Sequence, residues 1–582
     1  MVDDTQTVNI KFDQNCSGNF PIRTRVSDAA NALEKPILGA CGGRGQCTGC
    51  LVEFKKAVAN ISPMGDRERQ ILSESGYETD GNIRLGCLVK VFADVDVRYV
   101  GDEEVDLVIS KKSKDIRIKS EINTVVPSCI QGAYGVACDI GTTTISMHLC
   151  DLDTGNIMAS ASVMNPQTLY GADVLARISY IQNSPDELMK MSLLVRGAVN
   201  DLIANLCADI NISGEKILDS VIVGNPTMIH FFKGDDPAHL GQTELPEDRI
   251  VERERNKLRT NLYSADDFGL NIGKSSLCYI FPEVEGHVGA DAMAALLATG
   301  MHHSKKTSLL IDVGTNAEIF LGNRNSILAS STPAAPAFEG ADISCGQRAS
   351  KGAIEKVEIS EETHVFRYKV IGESKWSDDP NFSKNINVTG ICGSGIIDLI
   401  AQMFLRNLID YRGAIIPQLH DESNARIYQE EGKRSYTLLL RDGERPIRLT
   451  QDDVSNFVFV KGAIRAAVEV LKKESGVDTI DKIYLAGGFG THINVDNANM
   501  LGLFPEGNIE LIGNAAGDGA CMALMDENNR KTAESLSRKI QHVEVAENTA
   551  FQDIFMNATC IPYGNQKKGR RRTARVRLKN VV

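Results

Sequence analysis

Two stretches of this chain carry the same grammar, and their repetition restricts the fold more than any other feature. GVACDIGTTTISMHLCDLDTGNIMAS reads as a buried strand, a tight turn at Asp139 and Gly141 with Thr142, Thr143 and Thr144, a second strand, a turn at Asp153-Thr154-Gly155 and a third strand. SLLIDVGTNAEIFLGNRNSILAS repeats the order with Asp312, Gly314, Thr315 and Asn316 in the turn. An Asp at a strand end, followed by Gly and hydroxyl residues, suits a nucleotide. Glycine admits a phosphate close to the backbone, N–H and O–H groups hold it, and the carboxylate orders Mg²⁺ through water. Two copies about 173 positions apart predict two related lobes, each contributing one phosphate-binding turn. The alternative is a pair of unrelated hairpins with Asx turns.

A second constraint lies near the N-terminus. Cys41, Cys47 and Cys50 occupy the glycine-rich run CGGRGQCTGC, and Cys87 stands alone in RLGCLVKV. Three thiolates on a loop with a fourth on a distant segment predict a [2Fe-2S] cluster, because four sulfurs hold two irons and small residues let backbone N–H groups approach the sulfides. Cys-x2-Cys also suits tetrahedral zinc, although zinc sites usually come as two close pairs. Arg44, Gln46 and Arg84 are candidates to orient the cluster or a redox partner, with solvated side chains as the alternative.

The chain has 582 residues, enough for three or four domains, and 42% apolar content supplies several cores. A net charge of −13 argues against nucleic acid as a partner. The acidic start MVDDTQTVNIKF has no apolar signal region and no run of 18 apolar residues is present, so a cytoplasmic location without membrane insertion is expected. The remaining cysteines are scattered and read as reduced, buried thiols. The tail KKGRRRTARVRLK carries eight positive charges and no acid. It reads as a solvated segment, or as a docking element for an acidic partner.

Taken in order, VNIKF and TRVSD read as a hairpin, DAANALEKP as a short helix, CLVEFKKAV as a strand and DRERQILSE as a helical turn, with RLGCLVKVFADVDVRYV closing a β-grasp sheet. Residues 99–133 are a charged linker. Helices are expected at about 171–183, 186–208 and 288–301, with a strand in DSVIVGN between them. Downstream, Gly393, Ser394 and Gly395 open a helix in TGICGSGIIDLIAQMFL, and a long helix runs from about Asp452 to Ser475. In AGGFG a strand enters Gly487, Gly488 and Gly490, where a bare backbone can lie against adenine or ribose. The resulting organisation is residues 1–98, a linker at 99–133, a first lobe at 134–305 and a second lobe at 306–582.

The first cysteine gap is one residue longer than the plant-type spacing and resembles the adrenodoxin-like ferredoxins. DIGTTT, DVGTN, ICGSG and AGGFG occur in the order of the phosphate and adenosine elements of the acetate and sugar kinase, Hsp70 and actin superfamily, whose lobes are RNase H-like. With a ferredoxin domain fused in front, the whole α/β multi-domain chain resembles the reductive activators of corrinoid proteins.

That resemblance implies an ATP-hydrolysing iron-sulfur protein that returns an inactive Co(II) corrinoid protein of a methyltransferase system to Co(I) with one electron. It implies ATP, Mg²⁺ and a [2Fe-2S] cluster as cofactors, and a low-potential electron donor and a corrinoid protein as partners; a homodimer is left open. Asp139 and Asp312 would order Mg²⁺ and water, the turn residues would hold phosphates, and Gly393, Ser394, Gly395, Gly487, Gly488 and Gly490 would border the nucleoside. The short 99–133 region implies that any extra middle domain is reduced or absent. Two other readings stay open, a small-molecule kinase with an appended redox sensor and an Hsp70-like binding module with a structural cluster.

Overall fold

A computed structural model describes residues 7–12, 16–33, 50–56, 60–74, 77, 82–100, 110–111, 122–126, 130–182, 185–241, 261–284, 288–314, 316–332, 343–361, 365–383, 386–416, 427–429, 435–442, 446–487 and 493–563. The chain divides into two compact units. One is Met1–Pro282 with Gly289–Asp291 and Ala520–Lys531; the other is Glu283–Val288 with Ala292–Gly519 and Thr532–Val582.

The first unit opens with strands β1 (Thr7–Phe12), β2 (Cys16–Pro21), β3 (Leu51–Lys56), β4 (Ile83–Leu85) and β5 (Val95–Tyr99), in the order β2-β1-β5-β3-β4. β1 pairs antiparallel with β2 and parallel with β5, which is the β-grasp arrangement. Its core is its own: Val8, Ile10, Val26, Val52, Leu72, Leu85 and Val97 are among the buried side chains that fill it. The hairpin partner of β1 is not TRVSD. Arg23 adopts φ +73° in a turn, so Val26 enters the core as the first residue of the helix Val26–Ala32, and Cys16–Pro21 takes the strand position instead.

Arg84 is not a solvated residue. It is 2% exposed, and its Nε and Nη2 donate to Glu68 Oε1 and Oε2 at 3.0 and 2.8 Å. Its Nη1 donates to the Ser62 carbonyl at 2.9 Å, while Glu68 Oε1 also accepts the Leu85 N–H at 2.8 Å. This buried fork ties the helix Asp66–Glu74 to the strand that leads into Cys87. Arg44 and Gln46 lie outside the described residues.

The same unit continues with β6 (Ser110–Lys111), β7 (Tyr134–Ile140), β8 (Thr144–Asp151), β9 (Ile157–Met164), β10 (Ile217–Gly224), β11 (Leu262–Ser264) and β12 (Leu277–Ile280). Their order is β11-β12-β10-β7-β8-β9-β6. β7, β8 and β9 run antiparallel, and β10 and β12 extend the sheet in parallel from β7. The helix Pro185–Asp209 includes a window long and apolar enough to cross a membrane, 44% of it buried inside the protein.

The second unit repeats the plan. β13 (Ser308–Val313), β14 (Ala317–Asn323) and β15 (Ser326–Thr332) form the antiparallel trio. The chain then builds two three-stranded sheets from β16 (Ala353–Ile359), β17 (Phe366–Val370) and β18 (Gly390–Ile391), and from β19 (Ile427–Gln429), β20 (Tyr436–Arg441) and β21 (Ile447–Thr450). It returns through β22 (Lys482–Ala486) and β23 (Asn508–Gly513), which extend in parallel from β13, and ends the sheet with β24 (Gln541–His542) beside β15. The long helix Gln451–Ser475 starts at a capping box in which Thr450 and Asp453 satisfy each other's backbone N–H, and stops at Gly476 with φ +66°.

Removing one partner of a buried ion pair strands the other charge, at a cost of about 3–5 kcal/mol. Glu68→Ala is therefore expected to lower the temperature at which the N-terminal sheet unfolds far more than Glu68→Ala/Arg84→Met, as followed by loss of the cluster's visible absorption.

Candidate functional site

At the cysteine centre, Cys50 sits at the entrance to β3 and Cys87 on the turn after β4, not within a strand. The Gly86 N–H donates to the Cys50 carbonyl at 2.8 Å, which locks the two segments together. The sulfurs are 3.3 Å apart, and the residues are 1% and 2% exposed. Two thiolates on one tetrahedral ion with bonds near 2.3 Å lie about 3.7 Å apart, so the pair fits adjacent ligation of one metal. Cys41 and Cys47 lie outside the described residues.

In the first lobe, the Asp139 turn joins β7 to β8, where parallel pairing sets Asp139 beside Val223 of β10. The Gly141 N–H closes the turn on the Thr144 carbonyl at 3.0 Å, and a Cβ at Gly141 would meet that oxygen at 2.5 Å. Only glycine fits there.

Beneath the turn lies a buried polar layer that no sequence motif announced. Asn165, fully buried, gives its N–H to the Thr143 carbonyl at 2.8 Å and its Nδ2 to the Gly141 carbonyl at 2.9 Å. Asn225 Nδ2 donates to Thr142 Oγ1 at 2.9 Å, while Asn225 Oδ1 caps the helix Pro226–Lys233 through the Met228 N–H. Arg177, also fully buried, donates through Nη2 to the Thr142 carbonyl. The Asn-Pro dipeptides at 165–166 and 225–226 are the one local signal, since each starts a helical turn at the mouth of a strand.

The second lobe builds the corresponding turn from Asp312, Gly314 and Asn316, closed by the Gly314 N–H on the Asn316 carbonyl at 2.9 Å; Thr315 lies outside the described residues. Parallel pairing of β13 with β22 sets Asp312 level with Ala486, which delivers Gly487 against the turn. Gly487 has φ +88°, and a Cβ there would lie 2.3 Å from the Val313 carbonyl and 3.0 Å from Asp312 Oδ1. Gly488 and Gly490 lie outside the described residues.

Gly393, Ser394 and Gly395 are buried in the first turn of the helix Gly393–Leu405. A Cβ at Gly395 would sit 2.4 Å from the Ile354 carbonyl, and Ser394 Oγ donates to the Glu355 carbonyl at 3.1 Å. The approach these residues permit is thus to β16. Their link toward the AGGFG segment is Asp398, whose Oδ1 accepts from Asn497 Nδ2 at 2.7 Å, on the helix Val495–Leu501. Burial raises the Asp398 carboxyl to about 6, against the lowering effect of the Asn497 and Val357 donors.

Cysteines beside these motifs behave as packing residues. Burial, reinforced by the Asp139 charge, pushes the Cys138 thiol up, and burial pushes Cys278 up to about 12. His287 and His492 lie outside the described residues, and burial lowers His230.

Two family models match in tandem: residues 134–304 match the "RACo middle region", and residues 306–570 the "C-terminal domain of RACo the ASKHA domain". Over 594 residues, the chain is 30% identical to the corrinoid activation enzyme RamQ of Eubacterium limosum, covering 92% of this chain and 95% of that protein. The chain belongs to the reductive activators of corrinoid proteins. A solved structure described as a reductive activator for corrinoid, iron-sulfur protein matches at TM-score 0.62 and 25% identity, over 96% of this chain and 98% of that one. Over 67 residues, 12% of this activator and 67% of its relative, the identity to 2Fe-2S ferredoxin-5 of Aquifex aeolicus is 37%. The segment that matches the family's middle region, residues 134–304, begins where the β7–β8–β9 sheet begins.

Gly487→Ala is expected to cost at least about 2 kcal/mol by urea unfolding, because it combines positive φ with a backbone clash. Gly314→Ala, whose Cβ would meet nothing nearer than the Asn316 carbonyl at 3.8 Å, should change stability by less than about 0.5 kcal/mol.

Asp398 sets a pH dependence of definite sign. Its folded carboxyl holds a proton more tightly than the unfolded chain's, so this contribution to stability is fully present below about pH 4 and is lost as pH rises through about 6. Relative to Asp398→Asn, the parent protein should lose up to about 1.4 kcal/mol of unfolding free energy per pH unit across that window, measured by urea titration at each pH.

Proposed function

We propose that this protein is an ATP-dependent reductive activator that gives one electron to the Co(II) centre of a corrinoid protein, forming Co(I). The observation that carries this reading is the pairing, in one chain, of a buried thiol pair 3.3 Å apart with two glycine-closed Asp turns on duplicated sheets. Similarity to RamQ along 92% of the chain supports it. Cys41, Cys47, Cys50 and Cys87 hold the [2Fe-2S] cluster. When bound, that cluster supplies single electrons, near −400 mV for plant-type centres. The Co(II)/Co(I) couple is expected to lie lower, so ATP binding and hydrolysis must make the transfer favourable.

The chain's own residues provide the means. Asp139 and Asp312 order Mg²⁺ and water, while Gly141, Thr142, Thr143, Thr144, Gly314, Thr315 and Asn316 hold phosphates. Gly487, Gly488 and Gly490 border the nucleoside, with Gly393, Ser394 and Gly395 supporting that side through the Asp398–Asn497 brace. Nucleotide state then alters how the lobes grip the corrinoid protein, favouring the reducible form of cobalt by differential binding. A low-potential donor would be the source of the electron. The protein works in the cytoplasm, and a homodimer is compatible with the reading.

The test is anaerobic mixing of the purified protein with a Co(II) corrinoid protein, a low-potential reductant and ATP, following Co(I) absorption. Activation should require ATP and be abolished by Cys47→Ser. Asp312→Ala should keep the cluster spectrum but lose at least tenfold in ATP-dependent rate. Equal rates with and without ATP in the parent protein would overturn the proposal.

A further inference from the structure

Every carbonyl of the first-lobe turn is turned inward and engaged. Gly141 O and Thr143 O accept from Asn165, Thr144 O accepts from the Gly141 N–H, and Thr142 O accepts from Arg177. The donors of the turn are treated differently. Among the described residues the N–H groups of Thr142 and Thr143 make no hydrogen bond, and Thr143 Oγ1 is buried without a partner. A turn with its acceptors spent and two adjacent N–H groups and a hydroxyl spare is a receptor for an anion.

Three of the four carbonyls are held by ordinary amides. The fourth is held by a guanidinium with no exposed surface, reached from the helix Val174–Ile181. That helix is fixed by Asp173, whose Oδ1 caps the Ala176 N–H at 2.7 Å. Arg177 is further aimed by Nε on the Gly171 carbonyl at 2.9 Å and Nη1 on Gln167 Oε1 at 3.2 Å. Gln167 is itself anchored to the Met191 carbonyl at 2.9 Å. The guanidinium is thus held in one orientation with a donor aimed at the Thr142 carbonyl, directly behind the N–H groups left free.

We propose that Arg177 is a positioning residue of the nucleotide site. It holds the Thr142 carbonyl inward, and so keeps the Thr142 and Thr143 N–H groups facing the phosphate. This rests on the reading of the Asp139 turn as a phosphate site.

The test uses the full-length, cluster-loaded protein and ATP, measuring ATP affinity by calorimetry and the KM for ATP and kcat of the corrinoid-stimulated ATPase. Arg177→Gln is expected to weaken ATP binding and raise KM tenfold or more with kcat within threefold. Arg177→Lys, which keeps the charge but loses the fork, should recover part of the affinity. Thr143→Ala, which removes only a spare hydroxyl, should weaken binding severalfold. If Thr143→Ala weakens ATP binding while Arg177→Lys and Arg177→Gln do not, the role of Arg177 falls and the phosphate site stands. If none of the three alters affinity, the phosphate reading falls with it. Should Arg177→Gln fail to fold, Arg177→Lys carries the test, and parental affinity in that variant together with unaltered KM overturns the proposal.

Discussion

The parallel pairing of each lobe's first strand with the strands that extend its sheet is the constraint on which the sites depend. A parallel neighbour cannot be supplied by a tight turn, so the chain must travel and return. Each return delivers something to the turn at the strand's end. In the second lobe β22 brings Gly487 against Val313 and Asp312. In the first, β10 ends at Gly224, and Asn225 follows at once to hold Thr142. The turns supply backbone, and the returning strands supply the residues that shape it.

The same logic explains what was legible in the sequence. The strand–turn–strand repeat, the β-grasp order and the long helix from Gln451 were readable because they rest on local signals: alternation, glycines in turns and caps. What stayed hidden depends on tertiary placement. Arg84 looks like any charged residue near a cysteine until Glu68, 16 positions earlier, is folded onto it. Arg177 sits in a helix whose pattern gives no reason to bury a cation, because its acceptors come from Gly171, Gln167 and Thr142. TRVSD has β-prone residues, but the positive φ at Arg23 turns the chain before them and Val26 opens a helix.

Glycines in the two motifs read alike in sequence and differ in structure. Gly487 is required by backbone sign and by a carbonyl 2.3 Å from its missing side chain, Gly395 by helix-on-strand packing, and Gly314 by neither. A run such as GSG or GGFG therefore reports close approach without saying what approaches. For Gly395 the approaching group is the protein's own β16.

One further consequence concerns synthesis. The first unit takes in Ala520–Lys531, and there Arg530 Nη2 bonds Asp219 Oδ2 in a pair almost fully enclosed, while Arg530 Nε donates to the Ala523 carbonyl at 2.8 Å. Asp219 lies on β10, in the middle of the first lobe's sheet. As the chain leaves the ribosome, that carboxylate must wait for more than three hundred further residues before its counter-ion exists. Until then the sheet either keeps Asp219 protonated or leaves that edge of its packing open. The first lobe's sheet is thus completed by a segment that is made only after almost all of the second lobe.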